Sequence, residues 1–157
     1  MRATLAELAR GAQSGCGGRA IPPANIHLTL FFVGAVERAR SAALEHAAGE
    51  VRASPCELAI DRIGYWRHNR ILWAGTRACP AALIDLESSL RAALAPLGVR
   101  GEERPYVPHI TLVRNAARKP APMTVPPCVW RITEFVLMES VPAADRVRYA
   151  PVARWRL

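Results

Sequence analysis

Two short strings in the sequence carry residue types that do chemistry. His27-Leu28-Thr29-Leu30 recurs 82 residues later as His109-Ile110-Thr111-Leu112, each copy following a proline. Along an extended strand, residues i and i+2 face the same way, so His27 and Thr29 share one face and His109 and Thr111 repeat the arrangement. The interleaved Leu28, Leu30, Ile110 and Leu112 then face a core. Two imidazoles on opposite sides of one atom suit an in-line displacement: one takes a proton from the attacking group and the other gives one to the leaving group. An unperturbed pKa of about 6.5 keeps both protonation states of histidine accessible at neutral pH. The two hydroxyls donate to non-bridging oxygens of a phosphate, where charge grows. Neither a metal nor any other cofactor is needed. The pattern is symmetric, so it leaves open which histidine is acid and which is base.

The elements that position these strings are mixed. Leu5, Leu8, Ala9 and Ala12 recur at helical spacing over residues 3–13, and the glycines at 15, 17 and 18 end that helix. Residues 26–33 read as a strand bounded by Gly34, and a second helix follows over about residues 38–52. Residues 58–60 and 70–74 read as two strands of a hairpin with a long GYWRHN tip at 64–69. Leu83, Leu86, Leu90, Leu94 and Leu97 form one stripe of a helix that starts near Pro80 and stops at Gly98. A strand over 107–113, a Pro-rich loop through Pro127, an alternating run over 130–138 and a last strand over 148–155 complete an α+β order. Because the two H-x-T strings are each preceded by a helix and lie half a chain apart, the two halves read as related lobes.

Composition bounds the rest. The chain has 157 residues, 51% of them hydrophobic and 22% charged, which suits one folded domain and excludes disorder. No apolar run reaches the roughly 18–20 residues of a membrane span. Glu7 and Arg10 interrupt any secretory signal, giving the expectation of a cytoplasmic protein. The four cysteines, Cys16, Cys56, Cys79 and Cys128, form no C-x-x-C pair and read as idle thiols. Net charge is +8, with Arg supplying all but Lys119 of the basic residues. Guanidinium forks grip phosphate, although genomic base composition explains the Arg bias equally well. Residues 1–78 and 79–157 each carry +4, so no half of the sequence is the basic one.

The paired motif, with PPANIHLTLFFVGAV, GYWRHNRILWAG and RPYVPHITLVR around it, resembles the 2H phosphoesterase superfamily, and within it the bacterial RNA 2′,3′-cyclic phosphodiesterases, also called 2′-5′ RNA ligase-like proteins. The resemblance runs from about Arg10 to the end of the sequence. It implies a single bilobal, pseudo-twofold domain over residues 1–157, with an antiparallel sheet and helices in each lobe and an active-site groove between the lobes. It further implies hydrolysis of RNA or nucleotide 2′,3′-cyclic phosphate ends to 2′-phosphates, with possible reversal to 2′-5′ ligation. Carried over by position, His27 is the proton donor to the departing 3′ oxygen, His109 the acceptor that activates water, and Thr29 and Thr111 the phosphate holders. The family begins with a short apolar strand and a proline before its first helix. This sequence is already in helical pattern at Met1, so that strand is expected to be lacking and a sheet edge exposed.

Other residues are candidates of a second rank. Tyr65, Trp66 and Tyr106 could stack bases, with packing at a loop base the plainer reading for Trp66. Arg104 and Arg114 flank the second motif as candidate phosphate contacts, but strict alternation puts Arg114 on the Ile110 and Leu112 side. His46 falls on a solvated helix face and His68 in the GYWRHN tip. The rival function is a nucleotide- or RNA-binding module that uses the same cleft without turnover. A metal site built on the two histidines lacks a carboxylate or thiolate at ligand spacing. The expected partner is RNA or a nucleotide with a cyclic phosphate end, with no membrane and no obligate protein partner.

Overall fold

The computed structural model describes residues 1–101, 104–126, 128–143 and 146–157, so Pro127, the expected end of the Pro-rich loop, lies outside the described residues. The chain divides into two units that are not its two halves. The first comprises Met1–Thr29, Leu58–Ala78 and Pro108–Trp130, and the second Leu30–Glu57, Cys79–Val107 and Arg131–Leu157. Both H-x-T strings therefore fall in the first unit. The expectation of one motif per half-chain lobe is corrected: the backbone crosses between units repeatedly, and sequence halves do not map onto them.

In the first unit, helix α1 (Arg2–Cys16) lays Leu5, Ala9, Ala12 and Cys16 inward. It ends at Gly17, whose φ of 71° is open to a residue without Cβ. The helix packs on a four-stranded antiparallel sheet of β1 (Arg19–Ala20), β5 (His109–Arg114), β4 (Ile71–Gly75) and β3 (Arg62–Trp66), in that order. Leu72, Ala74, Ile110, Leu112 and Val113 on the helix side are each at most 1% exposed. Each wholly buried leucine of such a layer contributes roughly 1.5–3 kcal/mol.

Two local readings change. The hairpin is formed by β3 and β4, with Arg62 opposite Gly75 and Trp66 opposite Ile71, so residues 62–66 are strand and the tip shrinks to Arg67–Arg70. Arg70 closes it with a left-handed φ of 56°. Strand β2 (Cys56–Ile60), expected as the first arm, instead pairs with β6 (Cys128–Ile132). Residues 26–33 do not form a continuous strand. Pro22 and Pro23 lack the N–H that a ladder needs. The chain leaves β5 after the Ile21 N–H donates to the Leu112 carbonyl and makes a 3₁₀ turn at Pro23–Asn25. It returns only for a single antiparallel bridge, Leu28 to Ile110. From Leu30 onward it belongs to the second unit.

The second unit contains α2 (Ser41–Gly49), α3 (Ala81–Leu94) and the long hairpin β7 (Glu134–Ala143) and β8 (Arg146–Arg156). The leucine stripe of α3 is buried at Leu83, Leu86, Leu90 and Leu94, and Gly98 caps the following 3₁₀ turn with a φ of 71°, as its sequence demands. Leu44, Leu94 and Val99 form a core with Phe31, Val33 and Val36 packed against it. Glu87, the one charged residue among the buried ones described, is neutralised by Arg91 at 2.5 Å. Among the described residues no helix is long and apolar enough to cross a membrane.

Candidate active site

The Leu28–Ile110 bridge determines how the two motifs meet. Residues directly opposite each other in an antiparallel pair share a face, and their chain neighbours take the other. With Leu28 opposite Ile110, His27 stands across from Thr111 and Thr29 across from His109, all four on the face away from α1. The local dyad of the pair exchanges His27 with His109 and Thr29 with Thr111, so the symmetry read from the repeat lies in one ladder. Ordinary ladder spacing puts the diagonal His27 and His109 backbones about 7–8 Å apart. All four side chains are half-buried, whereas Ile110 beneath them is sealed.

The two imidazoles are held differently. Nδ1 of His27 lies 2.7 Å from the carbonyl oxygen of Asn25 in the 3₁₀ turn. A carbonyl only accepts, so Nδ1 carries the proton in this contact. The Pro22-Pro23 excursion that breaks the strand thus supplies the group that orients the ring. His109 is held by aromatic edges: the Trp66 ring meets it edge-on at 4.6 Å between centroids, and Trp73 lies 6.4 Å away. Trp73 is 4% exposed, and its indole N–H finds no hydrogen-bond partner among the described residues. Trp66 and Trp73 pack at 5.2 Å, and the Arg62 guanidinium sits over Trp73 at 5.4 Å.

The indole of Trp73 fits because the sheet is bare beneath it. A Cβ on Gly64, its cross-strand partner, would stand 2.0 Å from Trp73 Cζ2, and one on Gly75 would stand 2.8 Å from Trp73 Cζ3. These glycines, Trp73 and Arg62 are parts of the wall that sequence reasoning missed. The available signal was an isolated Gly in each of two apolar segments, which marks a close approach.

The remaining candidates separate. The β4–β5 register pairs Leu72 with Val113 and Trp73 with Thr111, so Leu112 is an extra residue in β5. Leu112 and Val113 both turn inward, and the bulge delivers Arg114 to the His109 face, exposed. Alternation alone gave the opposite side, and the bulge is the physical reason for the correction. Tyr65 pairs with Leu72 and faces away from the motif side, where it lines a cavity with Ile63 and the 119–123 segment. Trp66 takes the position beside His109 instead. Tyr106 and exposed Arg104 belong to the second unit. Burial, followed by Cys79, Glu87 and Cys56 nearby, pushes the Tyr106 phenol well above its usual value, so it stays neutral. Burial likewise raises the Cys16, Cys56 and Cys79 thiols, and thiols of that kind are poor nucleophiles.

An α+β chain with two H-x-T segments joined in one ladder defines a class, and the sequence confirms it. It matches the 2′-5′ RNA ligase superfamily over residues 3–142, and the chain belongs to that family. Particular relatives follow. It is 39% identical over 144 residues to the RNA 2′,3′-cyclic phosphodiesterase of Escherichia coli (strain K12), a match covering 89% of this chain and 80% of that protein. To the protein of the same name from Thermus thermophilus it is 31% identical, over 89% of this chain and 76% of the other. The structure of E. coli LigT complexed with 3′-AMP superimposes with a TM-score of 0.87 at 34% identity, covering 99% of this chain and 90% of that one. Over most of its length the chain is homologous to RNA 2′,3′-cyclic phosphodiesterase enzymes.

Proposed function

We propose that this protein hydrolyses the 2′,3′-cyclic phosphate end of RNA or of a nucleotide to a 2′-phosphate without a metal ion. The observation that carries the reading is the Leu28–Ile110 bridge, which sets both H-x-T pairs on one face. A water enters on one side of phosphorus and the bond to the 3′ oxygen breaks on the other. His109 accepts the proton of the water, and His27, protonated at Nε2, gives its proton to the 3′ oxygen. These two roles follow the family pattern. Thr29 and Thr111 donate to the non-bridging oxygens as their charge rises. When the 5′-hydroxyl of a second strand takes the place of the attacking water, it loses its proton to His109, the bond to the 3′ oxygen breaks, that oxygen takes the proton of His27, and the product is a 2′-5′ linkage. Arg114, brought to this face by the bulge, supplies positive charge near the phosphate.

The test is to incubate the protein with an oligonucleotide ending in a 2′,3′-cyclic phosphate and locate the product phosphate. A 2′-phosphate, formed at the same rate in excess EDTA, is the expected result. A 3′-phosphate would overturn the roles given to the two sides of the ladder, and tight binding with no hydrolysis would leave a nucleotide-binding module. In a second measurement, Trp66→Ala is expected to lower kcat by about tenfold, because His109 then loses the edge that fixes its ring, and a small misplacement of a catalytic group is costly. KM should change little. An unchanged kcat would remove Trp66 from the site.

A further inference from the structure

The evenness of charge along the sequence conceals a segregation in space. The first unit holds ten of the 21 basic residues and two of the 13 acidic ones, Glu7 and Asp61, whereas the second holds eleven of each. All of the net +8 therefore resides on the unit that bears the H-x-T ladder, and the other is neutral. Within the first unit the two ends of the sheet differ. The His109 end mixes signs: Asp61, whose N–H donates to the Gly75 carbonyl and whose carboxylate accepts the Arg77 N–H, stands beside Arg62 and Arg77. The other end of β5 carries Arg114, with Arg19 directly opposite it on β1. Arg70 joins them there: its carbonyl accepts the Ala116 N–H, just beyond Arg114. Arg118 is tied down at the same end by its Nε–H to the Gly15 carbonyl.

Like charges placed directly opposite in a ladder repel. Arg19, Arg70 and Arg114 are all exposed, and none forms an ion pair among the described residues. Such a cluster costs stability unless an anion shares it. Arg114 lies three residues beyond Thr111 on the same face, about 10 Å along the strand. A chain whose cyclic end sits between the imidazoles would lead its next phosphates over this cluster.

We propose that Arg19 and Arg70 form a backbone subsite for the RNA strand on the 5′ side of the cyclic phosphate, distinct from the catalytic ladder. The inference rests on the function proposed above. It makes the preferred substrate a polynucleotide over a mononucleotide, through phosphate contacts that do not read sequence.

The experiment compares wild type with Arg19→Gln/Arg70→Gln on two substrates, a cyclic-ended oligonucleotide of about ten nucleotides, long enough to cross several phosphate contacts, and cytidine 2′,3′-cyclic phosphate. The double variant should lose roughly tenfold in kcat/KM on the oligonucleotide and keep its rate on the mononucleotide. The slope of log(kcat/KM) against log[salt] should become shallower by about 1.4, that is about 0.7 for each contact to a single strand. Equal loss on both substrates, or no loss on either, overturns the subsite. Should wild type hydrolyse neither substrate, the proposed function fails while the subsite remains testable. Binding of a fluorescent oligonucleotide with a plain 3′-hydroxyl must then weaken roughly tenfold in the variant, and equal binding by the two proteins overturns it. Retention on anionic lipid vesicles without oligonucleotide binding would likewise refute it.

Discussion

His27→Ala and His109→Ala are each expected to lower kcat on a cyclic-ended oligonucleotide by about 10²–10⁴-fold, the range that a positioned acid or base supplies. The double substitution should fall little further than the worse single one, because the two rings act on opposite sides of one displacement and their effects are not additive. The pH profile separates the roles. A base works when deprotonated, so His109 supplies the limb that rises with pH. An acid works when protonated, so His27 supplies the limb that falls. His109→Ala should flatten the first limb and His27→Ala the second, while wild type shows a bell whose two apparent pKa values belong to the pair. The same limb lost in both variants would reverse or dissolve the assignment. Undiminished turnover in both would end it.

The candidate site was legible from the sequence where local pattern carries it. Two H-x-T strings in apolar surroundings suffice to name four residues, and the leucine stripe of α3 with Gly98 behind it suffices for a helix and its end. What the sequence hid depends on pairing between distant segments. Residues 26–33 have the composition of a strand, but only Leu28 finds a ladder partner, because the prolines and the passage to the second unit remove the others. Tyr65 and Trp66 look alike in a supposed turn, yet the register with β4 sends one to each face. Arg114 defeats simple alternation because one extra residue in β5 inverts the parity of everything after it. The segregated charge is invisible in any linear split, since each unit is assembled from three separated stretches.

Gly64→Ala is expected to be among the most damaging single-methyl changes in the first unit, for a reason that lies across the sheet. The new Cβ would stand 2.0, 2.3 and 2.6 Å from Trp73 Cζ2, Cε2 and Cη2, far inside contact distance. The colliding atoms belong to a rigid, 4% exposed indole wedged between Trp66 and the backbone, with no flexible tip to swing aside. Overpacking of this kind costs about 1–3 kcal/mol. If the indole tilts to escape, it disturbs Trp66, which packs on it at 5.2 Å and meets the His109 ring at 4.6 Å, so turnover should fall with stability, by about 10²-fold for a displacement of His109 near 1 Å. The check is a double-mutant cycle. Trp73→Leu alone should destabilise through the cavity it leaves, by roughly 2–4 kcal/mol. Added to Trp73→Leu, Gly64→Ala should cost almost nothing, because the atoms it strikes are gone and its methyl fills part of the vacated space. Chemical denaturation of the four proteins reads the coupling directly. Strict additivity of the two substitutions would show that Gly64 and Trp73 do not share that space, and the wall behind His109 would have to be built another way.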